Sequence, residues 1–236
     1  MTAPSLQEYM NAAVAVNVDN GLGGGPDLQP PSAAGFTLLM DSNAVNSHWM
    51  AEGMFAQAYM DSHGNVIIAY DSRRPDPTAP AFSSVYGNGS RVADADIAVG
   101  ITPQAFYDAD MFAKAVQRYL GNSLASHPIY LEGHSLGGAE AQYVGSIEHE
   151  SGVTFGSPGT WSGFGAVAPG QSFMNYVDYG DAVGNFGTHF GTVAKVGAPS
   201  DAISMYVDPI NALFQYHVLS NYATDLHLSP TIVHTA

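Results

Sequence analysis

The stretch that most constrains this chain is YLEGHSLGGAEA, residues 130–141, in which Ser135 stands between glycines directly after a short apolar run. A chain with 26 glycines in 236 residues produces a G-x-S-x-G string by accident in roughly a quarter of cases if composition is treated as random. The string alone therefore decides little. Its surroundings decide more, because a nucleophile elbow needs a strand entering, a sharp turn between small neighbours and a helix leaving beneath the serine. Pro128, Ile129, Tyr130 and Leu131 suit a short buried strand, and Ala139 to Tyr143 read as a helix. Gly133, Gly137 and Gly138 remove the side chains that would crowd a strained turn between them.

The rest of the chain supplies a frame for such an elbow. The N-terminal residues read as a small helix followed by a glycine-rich loop, and MFAQAYMDSHGNVIIAY (54–70) reads as a β-hairpin whose second run, Val66 to Tyr70, is a central strand. TPQAFYDADMFAKAVQRYLGN has Thr102 as N-cap, Pro103 at the first helical position and Gly121 as a stop. GVTFGSPG (152–159) and SFMNYVDYGDAVG (172–184) are further short strands that end in polar turns. Strands alternating with helices imply one α/β domain over residues 1–236, with a mostly parallel central sheet flanked by helices and its site at the carboxyl ends of the strands. Residues 71–91 carry Pro75, Pro77 and Pro80 without hydrophobic periodicity, so they read as a long loop, and Phe82, Val85 and Tyr86 suit it to act as a lid.

Composition removes several function classes. The formal charge of −15 repels phosphate backbones and anionic headgroups, so nucleic acid is excluded as a partner and any transient lipid contact favours neutral or zwitterionic surfaces. Without cysteine there is no disulfide, thiolate metal site or cysteine nucleophile. His48, His63, His127 and His149 form no metal-ligand spacing and read as surface or satisfied core groups, and His227 and His234 lie near the chain end. Neither metal nor cofactor is expected. The N-terminus carries no basic region before its apolar stretch, and low lysine with abundant glycine matches secretion without an N-terminal signal, a cytoplasmic location fitting nearly as well. The sequence is silent on oligomeric state.

A serine hydroxyl needs a base to take its proton, and the base needs an acid to fix its tautomer. After Ser135 the strand-end acids are Asp178 and Asp181, and the later histidines include His189 and His217. His189 directly precedes FGTVAKV, the next strand, which places it at the opposite edge of a parallel sheet; His217 precedes VLSNYATDL, a closing helix, from a loop on the correct edge. His134, next to the nucleophile, is expected to point away from it and to pack or hydrogen-bond locally.

At this point the sequence resembles the class 3 lipases, α/β-hydrolases that include fungal triacylglycerol lipases and plant phospholipases A1. The likeness lies in four ordered blocks, IYLEGHSLGGAEAQYVGS, VTFGSPG, VDYGDAVGNFGTHFGTVAKVG and YHVLSNYATDL. The resemblance implies Ser135 as nucleophile, Asp181 of the D-x-V block as acid and His217 of the H-x4-Y block as base, with a structural role for His189. It also implies an oxyanion donor after the central strand. Here Tyr70 is followed by Asp71, Ser72 and Arg73 instead of the family's R-G-T or R-G-S, so Ser72 is assigned by position only. The second donor is the Leu136 N–H, which the elbow supplies by construction. The implied activity is hydrolysis of acyl lipids or related apolar esters through an acyl-enzyme. Phospholipase A1 or polyester hydrolysis, acyl transfer by the same triad, and an inactive hydrolase-like binding domain are the alternatives.

Overall fold

A computed structural model describes residues 2–16, 35–71, 93, 96–98, 100–160 and 163–229. Ser72, Arg73, the rest of the expected lid and His234 lie outside the described residues.

Helix α1 (Leu6–Val16) opens on a reciprocal cap, since Ser5 Oγ accepts the Glu8 N–H (3.2 Å) while Glu8 Oε2 accepts the Ser5 N–H (2.7 Å). Seven strands then form one sheet in sequential order: β1 (Thr37–Asp41), β2 (Ala56–Met60), β3 (Val66–Tyr70), β4 (Ile129–His134), β5 (Ser151–Phe155), β6 (Phe173–Asp178) and β7 (Thr192–Val196). The pairs β1–β2 and β2–β3 are antiparallel, and every pair from β3 to β7 is parallel. Together with its flanking helices this sheet is an α/β-hydrolase fold.

The hairpin forms where expected because Asp61 organises its turn, Oδ1 accepting the N–H groups of His63 and Asn65 at 2.8 Å each. All five residues of β3 are buried, since helices cover both faces of a strand inside the sheet. Val66, Ile68 and Tyr70 pack with helices α2 (Gln104–Leu120) and α3 (Leu136–Glu148), while Ile67 and Ala69 pack in the second core with α1.

Two details differ from the sequence reading. The cap of α2 is Pro103 rather than Thr102: Pro103 remains extended (ψ 154°) and its carbonyl accepts the Phe106 N–H (3.1 Å), so the helix opens one residue late. Strand β1 has no counterpart in the sequence reading, because TLLMD does not alternate. It is an edge strand with a bulge between Leu38 and Met40, and Leu38 is exposed.

One residue sits against the grain of the core. Glu132 of β4 is fully buried between Ala69 and Val153 in register, and among the described residues neither of its carboxyl oxygens has a hydrogen-bond partner. Burial, and then the charge of Asp71, push its acid well above the ordinary glutamate range. A carboxyl raised in the folded state keeps its proton there, so its contribution to stability is full below the unfolded value of about 4.5 and is lost as pH rises towards the folded value. Glu132→Leu is therefore expected to raise the melting temperature more at pH 8 than at pH 4.5. With about 1–3 kcal/mol for an unsatisfied buried polar group and roughly 2–4 °C per kcal/mol at this size, the gain at pH 8 is several degrees. A gain that is equal at both pH values would contradict this account of Glu132.

Candidate active site

Three strand ends and one helix junction converge on Ser135. The strand β4 stops at His134, Ser135 takes φ 57° and ψ −130°, and α3 begins at Leu136. A positive φ is costly for a serine and persists only where its surroundings enforce it. Here the Ser135 N–H donates to Phe155 O (3.1 Å), and the Ser135 carbonyl accepts from Gly138 and Ala139 (3.0 and 3.3 Å). The glycines of the elbow answer to close approach, since a Cβ on Gly137 would lie 2.2 Å from Tyr70 O and one on Gly133 would lie 2.3 Å from Gly137 O.

The hydroxyl of Ser135 lies 2.8 Å from His217 Nε2. His217 follows helix α4 (Pro209–Tyr216) and precedes α5 (Leu219–Asp225), and its N–H donates to Leu213 O (3.3 Å). Its other ring nitrogen, Nδ1, is 3.0 and 2.9 Å from Asp181 Oδ1 and Oδ2. All three groups are buried. With a carboxylate holding Nδ1–H, Nε2 is left as the acceptor for a serine proton, so the arrangement can activate a hydroxyl for acyl transfer. Leu136 is the first residue of α3, and the first N–H groups of a helix have no intrahelical partner, so its amide and the positive helix end are available to a developing oxyanion.

The Asp181 carboxylate is more heavily bonded than the sequence revealed. Oδ1 also accepts the Val183 N–H (2.9 Å) and Oδ2 accepts the Tyr222 hydroxyl (2.5 Å). Burial pushes its acid up, but the charge of a protonated His217 and the hydrogen bonds from His217, Tyr222 and Gly184 outweigh that, leaving it below the ordinary carboxylate range. Tyr222 is itself fully buried and accepts the Asp178 N–H (3.1 Å), so it ties β6 to the acid. Its presence in the H-x4-Y block was the only signal for it.

Asp178, the alternative acid, faces elsewhere. It accepts from Gly180 N (2.6 Å) and from Asn221 Nδ2 (3.0 Å), which also donates to Asp225 Oδ2 (3.1 Å). Ser72 cannot be placed among the described residues. Ser135 Oγ meets His217 while His189 bonds elsewhere, yet not at the opposite edge of the sheet. Residues 186–188 return along 159–160, with Thr160 and Thr188 exchanging N–H bonds of 3.1 and 2.9 Å, so the His189 ring reaches Ser157 O (2.9 Å) beyond the carboxyl end of β5. Burial and the Lys195 charge lower its pKa, against its bonds to Ser157 and Gly184. His134 also departs from its expected local role: its Nε2 is 2.7 Å from His217 O, and its ring lies 5.0 Å from that of His217.

An apolar cleft of about 390 Å³ is lined by Pro158, Ala182, Val183, Phe186, Pro209 and Leu213 among others, of which Ala182 follows the acid in the chain and Leu213 accepts the His217 backbone N–H. A smaller cavity of about 200 Å³ between α2 and α3 has Phe106, Tyr143 and Phe164 in its wall, and none of Ser135, Asp181 and His217 lines either space. Distant from both, Glu8, Asp61 and His63 cluster in a way that their sequence spacing did not reveal, but Asp61 is occupied by the hairpin turn and Glu8 by the α1 cap.

No protein-family model and no curated protein matches the chain. Solved structures match in fold. A fungal lipase in complex with an inhibitor aligns with 82% of this chain and 79% of its own at 16% identity and a TM-score of 0.54. The Rhizomucor miehei lipase with its propeptide aligns with 82% of this chain and 68% of its own, at 16% identity and a TM-score of 0.51. The Rhizomucor miehei triacylglyceride lipase gives 82%, 79%, 16% and 0.50 in the same terms. At such identity the likeness establishes the fold, and chemistry has to be argued from the side chains.

Asp178 makes the site's stability dependent on pH. Burial and the Asp225 carboxyl push its acid up to about 7, against the Gly180 and Asn221 hydrogen bonds. The unfolded value is about 3.9, so the folded chain holds the extra proton between pH 4 and 7, and stability falls as pH rises through that window. Asp178→Asn is expected to shrink this decline when unfolding free energy is measured in urea across the same pH range. An unchanged decline would show that Asp178 is already ionised there.

Proposed function

We propose that the protein is a serine carboxylic-ester hydrolase of lipase or esterase type, acting through an acyl-enzyme on acyl lipids or related apolar esters. The observation that carries this reading is the unbroken line from Ser135 Oγ through His217 to Asp181, at 2.8 Å and 2.9 Å. The apolar cleft lined by Ala182, Val183 and Leu213, neighbours of Asp181 and His217, supports an apolar acyl group, and the fold neighbours that are named lipases support acyl lipids over small polar esters.

In this mechanism Ser135 Oγ forms a bond to the ester carbonyl carbon as His217 Nε2 takes its proton. The Leu136 N–H stabilises the oxyanion, and Asp181 stabilises the imidazolium. Collapse breaks the bond to the alcohol, which leaves with the proton from His217. Water then gives its proton to His217, attacks the acyl-enzyme carbonyl, and the acid departs as Ser135 regains its proton. The chain's charge of −15 directs any contact with lipid surfaces towards neutral or zwitterionic ones.

The triad assignment separates two histidines. His217→Ala is expected to lower turnover of chromogenic esters by several orders of magnitude, comparable with Ser135→Ala, because triad members act as a unit. His189→Ala is expected to lower thermal stability while keeping turnover within about tenfold, since its ring bonds to the Ser157 and Gly184 backbone. Steady-state kinetics on the folded variants decide it. A folded His217→Ala protein that keeps most of its activity while His189→Ala loses it would overturn the assignment.

A further inference from the structure

Within the hydrolase reading, on which this inference rests, one buried side chain has no role in the proton relay and yet grips its base. His134 is the last residue of β4, one before the nucleophile, and is 5% exposed. Its Nε2 lies 2.7 Å from the main-chain carbonyl of His217. A carbonyl only accepts, so Nε2 carries the hydrogen and donates it. The two imidazole rings also lie face to face at a tilt, with centroids 5.0 Å apart and planes at 32°, and the edge of Tyr222 closes the group at 6.5 Å.

The fold explains why such a grip matters. His217 sits on a junction between two short helices, and the chain leading into it is thinly covered: Ile203, Tyr206 and Val207 are 63%, 85% and 77% exposed. Asp181 holds one end of the ring, at Nδ1, and Ser135 Oγ meets the other, at Nε2, so the ring's place between them depends on the backbone from which it projects. Holding the His217 carbonyl fixes the backbone from which the ring projects. Because the holding group is the neighbour of Ser135, nucleophile and base are referred to the same strand end.

We propose that His134 is a positioning residue for the base, setting the distance and angle between His217 Nε2 and Ser135 Oγ through its N–H bond to the His217 carbonyl. His134→Phe keeps a flat ring against His217 and removes the donor, while His134→Gln restores an amide N–H without the imidazole. Both are compared with wild type by steady-state ester hydrolysis and by the rate at which an alkyl p-nitrophenyl phosphonate labels Ser135. The phenylalanine variant is expected to lose about 10–100-fold in kcat with KM within about twofold, and its labelling rate constant falls in parallel, as a small misplacement of reacting groups requires. The glutamine variant is expected to recover to within about fivefold of wild type in both rates. Labelling amplitude counts folded molecules, whereas the rate constant reads only those that are folded, so a loss of packing alone would lower the first and leave the second unchanged. Should the phenylalanine variant fail to fold, His134→Leu against His134→Gln repeats the comparison. Wild-type rate constants in the donorless variants, or equal losses in donorless and glutamine variants, would overturn the role of His134. A wild-type protein that does not react with the phosphonate at all would overturn the hydrolase reading and this role with it.

Discussion

The hydrogen bond between Ser135 and His217 joins residues 82 positions apart, and the rest of the site follows from what is needed to make it. Ser135 must leave the sheet in a conformation that serine disfavours, at φ 57°, directly above the start of a helix. Gly137 must let that helix approach the Tyr70 carbonyl, where any Cβ would collide. The parallel run from β3 to β7 then brings the end of β6 and the junction before α5 to the same edge as the elbow. Strain at one residue is balanced by packing that extends across both cores.

Electrostatics completes what the topology begins. Asp181 is buried, and burial alone would favour its neutral form, which could not stabilise an imidazolium. The charge of a protonated His217, with hydrogen bonds from His217, Tyr222 and the Gly184 backbone, keeps it below the ordinary range instead. A few residues away, burial and then the Asp225 carboxyl push Asp178 the other way, to about 7. Two aspartates near one strand end are thus pushed in opposite directions by their neighbours, a cationic imidazole beside Asp181 and a second carboxyl beside Asp178, and Tyr222 touches both, donating to one side chain and accepting from the other's backbone.

The legible parts of the sequence were the ones whose determinants are local. The elbow is readable because its glycines and flanking runs are contiguous, and the hairpin because Asp61 and Asn65 make its turn within five residues. Acid and base are 36 residues apart and were selected through resemblance and strand direction, since no local pattern records which residues meet across a sheet edge. His189 shows the limit of strand direction: the 186–188 segment folds back along 159–160 and carries the ring to the edge it was expected to avoid. His134 and Tyr222 escaped because their partners are set by which face of β4 and of α5 they occupy, a property of packing and not of spacing.

The central claim, that the 2.8 Å contact makes Ser135 a nucleophile, is tested most directly by intact-protein mass spectrometry after exposure to an alkyl p-nitrophenyl phosphonate. The account predicts a single adduct that has lost p-nitrophenol, maps by peptide sequencing to Ser135, and is absent from the Ser135→Ala protein. An unreacted wild-type protein with the folded protein's circular dichroism, or an adduct on any other residue that persists in Ser135→Ala, would contradict it.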